Sequence, residues 1–198
     1  MTGPFRLGLT GSIGMGKSTT AKMFQQAGVP VWDADAAVHR LYAAGGAAVA
    51  PLAAVCPPAL VHGGIDRGAL KSWIADDTTA LRQIERIVHP LVAVDRAAFI
   101  AQSSADIVVL DIPLLFETGG DAQMDATLTV TAPAALQRAR VMARPGMTEA
   151  LFASILAKQT PDAEKRARAT HVIETLSLDS VRACVVALIA YIRETRHA

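Results

Sequence analysis

The sequence predicts an α/β protein with an open, parallel, five-stranded sheet that is covered by helices on both faces. Three observations favour this fold class. Short apolar runs alternate along the chain with segments of helical spacing. The runs at residues 106–117 and 126–133 are almost continuously apolar, which is typical of central strands that are buried on both faces. A glycine-rich stretch joins the first run, residues 5–10, to the first helical segment.

The other elements follow from the same periodicity, taken in chain order. The predicted strands are residues 29–32 and 170–175, and the predicted helical segments are residues 18–28, 35–105, 136–168 and 177–198. The long middle segment is rich in alanine and is interrupted by turn-forming residues, so we predict a mostly helical insertion. Within it, apolar residues from Leu81 to Val92 repeat at spacings of three and four, which indicates one amphipathic helix with Pro90 as a candidate bend.

Composition and charge favour a soluble, cytoplasmic protein without a nucleic-acid or membrane partner. Lys and Arg number 19 against 18 Asp and Glu, a formal net charge of +1, so no strong field attracts a polyanion. Residues 41–60 are uncharged, but their weak hydrophobicity and three prolines argue against a membrane span. Cys56 and Cys184 lie in apolar contexts, so we expect two buried thiols. We expect a monomer or a small homo-oligomer.

Residues 11–18 (GSIGMGKS) match the pattern G-x-x-x-x-G-K-[ST] between a strand and a helix, and we call them the phosphate loop. Glycines let consecutive amides point at a phosphate chain, and the following helix adds its N-terminal dipole. Lys17 would reach the β- and γ-phosphates, and the Ser18 hydroxyl would bind Mg²⁺. A plain glycine turn is disfavoured, because eight positions match in this setting. The predicted ATP-binding residues are Gly11, Ser12, Ile13, Gly14, Met15, Gly16, Lys17, Ser18 and Thr19.

Acidic residues at two strand ends indicate what happens to the phosphate. The guanine-reading pattern NKxD is absent, since the chain contains no asparagine, which argues against a GTP switch. Asp33 and Asp35 follow the second strand, where the ends of parallel strands surround a bound nucleotide. A carboxylate there can accept the proton of a hydroxyl acceptor, although each acid could instead cap the next helix. Asp111 ends the strand VVLD, where it could hold Mg²⁺ through water or be a turn carboxylate.

The basic helical region predicts a mobile lid that closes over ATP. Its cations are Arg138, Arg140, Arg144, Lys158, Lys165, Arg166 and Arg168. For any one of them a solvated helix face is the favoured interpretation. His89, before Pro90, is open between substrate contact and core packing. We thus predict a nucleotide-binding core (1–34, 106–135 and 169–198), a helical substrate domain (35–105) and a lid (136–168) around a P-loop NTPase sheet.

These stretches together resemble the dephospho-coenzyme A kinase family over nearly the full chain. The matching stretches are GLTGSIGMGKST at 8–19, DAD at 33–35, IDRGAL at 65–70, HP at 89–90, VVLDIPLLFE at 108–117, the Q-x-x-R-x-x-x-R of Gln137, Arg140 and Arg144, and Gln159 before the VIE strand. The order and number of these motifs make the signature specific.

The resemblance implies phosphoryl transfer from ATP to the ribose 3'-hydroxyl of dephospho-coenzyme A, the final step of coenzyme A biosynthesis. By this resemblance Asp35 is the catalytic base, Lys17 and Ser18 bind phosphate and Mg²⁺, and Arg140 and Arg144 are the lid arginines. It implies ATP and dephospho-coenzyme A as the ligands and Mg²⁺ as the cofactor. The residues assigned to the acceptor side are Thr10, Asp33, His89, Pro90 and Leu114.

The sequence departs from the family pattern at three places, one of which is His171, where an acid is common and to which we assign no role. Ser12 and Met15 stand where glycine and a small residue are common, and we expect Met15 to add bulk above the phosphates. Residues 174–176 (ETL) replace the common Asp-Asn before a glycine-containing turn, so we assign no adenine contacts there.

Two other functions remain as alternatives. A nucleoside monophosphate kinase is disfavoured by the IDRGAL and HP stretches. An ATP-binding regulatory protein without transfer activity is disfavoured because the chain keeps Asp35, Lys17 and the lid arginines, and a pure binder needs no base.

Overall fold

The fold is described from a computed structural model, which covers residues 3–196. The chain divides into two compact units, residues 1–32 with 103–198 and residues 33–102, which we call the sheet unit and the helical unit. Residues 136–168, predicted as a lid, belong to the sheet unit. The first two and last two residues of the predicted core lie outside the described residues.

The elements are numbered in chain order. The strands are β1 (Phe5–Thr10), β2 (Val31–Asp33), β3 (Leu60–Val61), β4 (Gly64–Ile65), β5 (Ile107–Asp111), β6 (Ala126–Thr131) and β7 (His171–Glu174). The α-helices are α1 (Lys17–Gln26), α2 (Ala34–Tyr42), α3 (Val49–Val55), α4 (Arg67–Asp76), α5 (Ala80–Gln102), α6 (Ala134–Met142), α7 (Glu149–Leu156), α8 (Asp162–Arg168) and α9 (Leu178–Arg196).

The sheet unit contains the predicted five-stranded parallel sheet, with the order β2-β5-β1-β6-β7. Strand β1 lies in the middle, and Leu7 stands opposite Val109 of β5 and Ala126 of β6. Every residue of β5 and β6 is buried, so helices and loops cover both faces of the sheet there. The fold-class prediction is confirmed. Strand β5 ends at Asp111 rather than at the expected residue 117, because turns begin after it and Pro113 has no N–H for a ladder.

Helices α1 and α9 pack against each other and contribute to the core of the sheet unit. Phe24 of α1 is fully buried, and α9 presents one apolar stripe to the core. The stripe consists of Val181, Val185, Leu188, Ile189 and Ile192. Cys184 lies off this stripe and is exposed, so the prediction of two buried thiols is correct for Cys56 and wrong for Cys184. A helix that buries a single stripe leaves its other side in water, so apolar neighbours in sequence do not by themselves predict that a residue is buried.

The helical unit contains α2 to α5 and a small antiparallel hairpin of β3 and β4. Its core includes Leu52, which is fully buried, and Ile84 and Val88 of α5. Helix α5 continues through Pro90 as one helix of 23 residues. The hairpin is not predicted by the sequence pattern, because its strands have only two residues each. Its turn has positive φ at His62 and Gly63, as a two-residue hairpin turn requires.

Among residues 3–196, no helix combines the length and the apolar character that crossing a lipid bilayer demands.

Two adjacent valines of α9 test the packing of the sheet unit. Val185 is fully buried, whereas Val186 is 55% exposed. We expect Val185→Ala to lower the free energy of unfolding by about 2 kcal/mol, because it removes two buried methyl groups and leaves a cavity. The matched control Val186→Ala should change it by less than about 0.5 kcal/mol. Urea unfolding measures both, and equal effects would contradict the assigned stripe.

Candidate active site

The phosphate loop lies between β1 and α1, at the carboxyl end of the central strand. In open α/β sheets this edge, beside the strand where the order reverses, is where ligands bind. Helix α1 begins at Lys17, so Lys17 and Ser18 occupy its first turn, where backbone N–H groups have no partner within the helix. Ser18 and Thr19 are exposed there. The predicted order of strand, loop and helix is confirmed.

Two loop glycines have left-handed backbone conformations that favour glycine. Gly14 has a φ of 79°, and an added Cβ would lie 2.5 Å from Val141 Cγ2 on α6. Gly16 has a φ of 90°, and a Cβ there would lie 3.0 Å from Thr175 Oγ1. Both backbone conformations are left-handed, which strains any residue with a side chain. The loop is therefore packed against its surroundings, which gives its amides a fixed direction.

Met15 does not add bulk above the loop, and that expectation is wrong. Its side chain is 3% exposed and belongs to the core of the sheet unit. The sulfur accepts a hydrogen bond from the backbone N–H of Ala132, at 3.0 Å. A long thioether adapts to an irregular core gap, so methionine can replace a small residue here without entering the site.

Lys17 and Asp111 form an ion pair beside the phosphate loop. Asp111 is 2% exposed at the end of β5, and the Lys17 ammonium is close to one of its carboxylate oxygens. An ammonium attracts the phosphates of a nucleotide, and a carboxylate attracts the cation that accompanies them. The sequence predicts both residues as ligands, and the structure brings them together.

The residues present suit a magnesium ion that is held mainly by phosphates. Ser18 and Asp111 offer oxygen donors, the kind that Mg²⁺ prefers. Within residues 3–196 no group of three or more His, Cys, Asp or Glu side chains could hold a metal without help. Mg²⁺ usually keeps several waters and binds through one or two protein oxygens together with substrate phosphates, and this donor set agrees with that habit.

Thr175 connects Arg140 to the phosphate loop, although the sequence reasoning assigned it no role. Arg140 donates to the Thr175 hydroxyl at 2.8 Å and to its carbonyl at 2.6 Å. The same hydroxyl lies 2.9 Å from the Met15 carbonyl oxygen and 3.2 Å from the Thr131 carbonyl oxygen, and it can donate its hydrogen bond to either one. One buried hydroxyl thus fixes Arg140, the loop and the end of β6 together.

A cavity of about 500 Å³ opens beside the loop. One side of it is formed by the loop, the start of α1 and α6, namely by Gly14, Gly16, Thr19, Arg140 and the nearby Arg144. The other side is formed by the segment after β7 and the start of α9, including Leu176, Leu178 and Val181. Its size and its mixture of polar and apolar walls suit a small organic ligand with a phosphate tail.

The apolar wall of the cavity is absent from the sequence predictions. Leu176 and Leu178 follow β7, where residues 174–176 depart from the family pattern and therefore give no motif to read. A positional signal was present, since the segment after each parallel strand reaches the same edge of the sheet as the phosphate loop. The place of this segment in the sheet topology thus indicates its role in the cavity better than the identity of its residues does.

The other predicted residues of the sheet unit are placed as follows. Thr10 is fully buried, and its hydroxyl donates to the Pro113 carbonyl at 3.0 Å. Leu114, in the turn after β5, is 42% exposed. Lys165, counted among the lid cations, is fully buried and pairs with Glu117 at 2.8 Å, so a solvated helix face is wrong for this residue.

The remaining predicted residues belong to the helical unit. Asp33 is the N-cap of α2, and its carboxylate accepts from the Ala36 N–H at 2.8 Å. Asp35 is exposed in the first turn of the same helix. His89 and Pro90 are exposed on α5, so core packing does not describe His89.

Comparison with known proteins identifies the family. The family model of dephospho-CoA kinase matches residues 5–179. The chain belongs to the dephospho-CoA kinase family. A dephospho-CoA kinase of Cereibacter sphaeroides is 68% identical over 195 residues, which covers 98% of this chain and 99% of that protein. One from a Jannaschia species is 61% identical over 191 residues, which covers 96% of this chain and 98% of that protein.

The fold agrees with this membership. A crystal structure of a Thermus thermophilus protein is 37% identical, with a TM-score of 0.84, and the match covers 96% of this chain and 98% of that chain. As a member of the dephospho-CoA kinase family, this protein is an enzyme and a kinase. The resemblance drawn from the sequence motifs is confirmed.

The link from Thr175 to Arg140 yields a prediction for this member of the dephospho-CoA kinase family. Thr175→Val keeps the side-chain shape but leaves the Arg140 guanidinium and a buried backbone carbonyl short of a partner. We expect it to lower the free energy of unfolding by about 1–3 kcal/mol and to raise KM for the phosphoryl donor. Thr175→Ser keeps the hydroxyl and should stay closer to the wild type in both. Urea unfolding and steady-state kinetics measure the difference, and identical behaviour of the two variants would remove the hydroxyl from this role.

Proposed function

We propose that the protein transfers the γ-phosphoryl group of ATP to the ribose 3'-hydroxyl of dephospho-CoA, which yields coenzyme A and ADP. The observation that carries this proposal is the phosphate loop with Lys17 and Asp111 beside it, in a chain of the dephospho-CoA kinase family. A reaction of this kind requires little covalent chemistry from the protein. Positioning and charge stabilisation are the main tasks of the site.

The loop and the first turn of α1 hold the nucleotide phosphates. Backbone amides of the loop and the helix dipole favour the negative charge of a phosphate chain at this end of α1. Lys17 adds an ammonium from the first helical turn, where it can exchange the Asp111 carboxylate for phosphate oxygens. The apolar wall at Leu176, Leu178 and Val181 offers a surface for the adenine ring.

Ser18 and Asp111 are the residues that would hold Mg²⁺, Asp111 through a water. When bound, the ion neutralises charge on the transferred phosphoryl group. Arg140 and Arg144 line the same cavity, and their guanidinium groups can stabilise charge on the equatorial phosphate oxygens.

Asp35 is the proposed general base. Because the Asp33 carboxylate is occupied as the N-cap of α2, the exposed Asp35 in the first turn of that helix is the better candidate of the pair. Its carboxylate would accept the hydroxyl proton of the acceptor as the new O–P bond forms. Thr10, Asp33, His89, Pro90 and Leu114 stay as proposed residues of the acceptor side, and the cytoplasm as the proposed location.

The proposed reaction can be tested with purified protein and a set of acceptors. Consumption of ATP in the presence of Mg²⁺ is measured with dephospho-CoA, adenosine, AMP or CMP, and products are identified by mass. We expect a gain of one phosphate on dephospho-CoA alone. Transfer to AMP or CMP instead would favour a nucleoside monophosphate kinase. ATP binding without transfer to any acceptor would favour a regulatory protein.

The role of Asp35 leads to a prediction for one substitution. Asp35→Asn should leave ATP binding nearly unchanged and lower kcat by roughly two to four orders of magnitude, the usual range for loss of a general base. Asp76→Asn, which changes an exposed acid of the same unit as Asp35, serves as the matched control and should behave as the wild type. Near-normal turnover of Asp35→Asn would remove Asp35 from the mechanism.

Lys17→Ala should weaken both nucleotide binding and turnover.

A further inference from the structure

The backbone of Ile13, at the tip of the phosphate loop, is bound on both sides by glutamine side chains. The Gln137 amide on α6 donates to the Ile13 carbonyl at 2.8 Å. The Ile13 N–H donates to Gln159 Oε1 at 3.1 Å, in the segment between α7 and α8. Neither glutamine belongs to the loop, and both come from residues 136–168. Two separate parts of the predicted lid therefore hold the same loop residue.

These contacts determine the direction of the next amide in the loop. A trans peptide is planar, so its C=O and N–H groups point in opposite directions. Since the Ile13 carbonyl faces Gln137, the N–H of Gly14 in the same peptide points away from α6. The preceding peptide is fixed in the same way, because the Ser12 carbonyl accepts from the Met15 N–H at 3.1 Å while the Ile13 N–H faces Gln159.

Gly14 is well placed for this direction to matter. It lines the cavity beside the loop, and its α6 side is closed by Val141, which a Cβ would approach to 2.5 Å. The orientation needs a φ of 79°, which glycine adopts without strain. The hydrogen bond that holds this peptide comes from outside the loop, from Gln137, and Gln159 holds the peptide before it.

We propose that Gln137 and Gln159 are positioning residues that aim the Gly14 N–H at a phosphate of the bound nucleotide. The inference rests on the proposed function, since it assumes a nucleotide in the cavity. An amide side chain suits the task because it offers both a donor and an acceptor without net charge. A carboxylate at either position would repel the phosphates, and an ammonium would compete with Lys17 for them.

An ion pair between the fully buried Lys165 and the partly buried Glu117 holds the segment that carries Gln159. Glu117 Oε1 accepts a hydrogen bond from the Thr160 N–H at 2.8 Å and lies 2.8 Å from the Lys165 ammonium nitrogen. Burial raises the pKa of the Glu117 carboxyl, but the Lys165 ammonium and backbone N–H donors outweigh it, so the pKa lies below its usual value. The carboxylate therefore stays charged at neutral pH. It links Thr160, the residue after Gln159, to Glu117, which lies in the turns after β5.

A second contact attaches the start of α8 to the sheet. The Thr131 hydroxyl, at the end of β6, donates to the Asp162 carboxylate at 2.7 Å. Gln159 thus lies just before two anchored positions, and its side chain reaches the loop from a fixed backbone. Gln137 is itself 93% buried on α6, which limits its side chain to few conformations. Both glutamines are therefore held before the nucleotide arrives.

The inference is tested with Gln137→Met and Gln159→Met, which keep side-chain length and remove the amide. Binding of ADP with Mg²⁺ is measured by calorimetry, and KM values by steady-state kinetics. We expect the Kd for ADP to rise about three- to tenfold in each variant, the range for one lost hydrogen bond. KM for ATP should rise by the same factor, while KM for dephospho-CoA stays within twofold and kcat changes less than KM.

Gln102→Met, at the exposed end of α5, is the matched control and should leave every constant unchanged. A purely structural role would lower Tm without moving the Kd for ADP at a temperature where the variants are folded. That result in both variants would overturn the inference. If the buried Gln137→Met does not fold, Gln159→Met decides, because that side chain is only partly buried.

Failure of the proposed function gives a different result. If the wild type binds no ADP, the phosphate assignment falls and the positioning role with it. If the wild type binds ADP but phosphorylates no acceptor, the proposed reaction is wrong and the comparison of Kd values still tests the two glutamines.

Discussion

Parallel pairing of β1 with β5 and β6 is the constraint on which the candidate site depends. Parallel strands all end at one edge of a sheet, so the segments after β1, β5 and β7 meet there although they are far apart in sequence. Lys17 and Asp111 are 94 residues apart along the chain and form an ion pair at this edge. The chemistry of the site is thus a consequence of strand direction.

Close packing turns that edge into a site with fixed geometry. The loop glycines leave room for α6 on one side and for Thr175 on the other. Polar side chains from these neighbours donate hydrogen bonds to backbone carbonyls of the loop. Buried polar groups of this kind are stable only when each has a partner. The loop therefore depends on neighbours from three later parts of the chain, around residues 137, 159 and 175.

Much of this arrangement can be predicted from sequence, and the rest fails for identifiable reasons. The phosphate loop and the parallel sheet are predictable because they depend on local patterns of glycine spacing and apolar runs. The environments of Met15, Lys165 and Cys184 do not follow from the local sequence, because residues distant in the chain set them: a core gap, a partly buried carboxylate and the turn of a helix face. The apolar wall after β7 carries no sequence motif, and only its place in the topology indicates that it borders the site.

The three helices of the predicted lid are attached to the sheet unit very unequally. Helix α6 is bonded through Gln137, and α8 through Asp162 and the buried Lys165. Between them, α7 buries one side chain, that of Phe152, and forms an ion pair to α6 from Glu149 to Arg138, both of which are more than half exposed. Exposed ion pairs stabilise little, and local opening costs least where buried contacts are few. Any flap that moves here is therefore expected to be the single helix α7, hinged at its two ends, while its neighbours stay part of the scaffold.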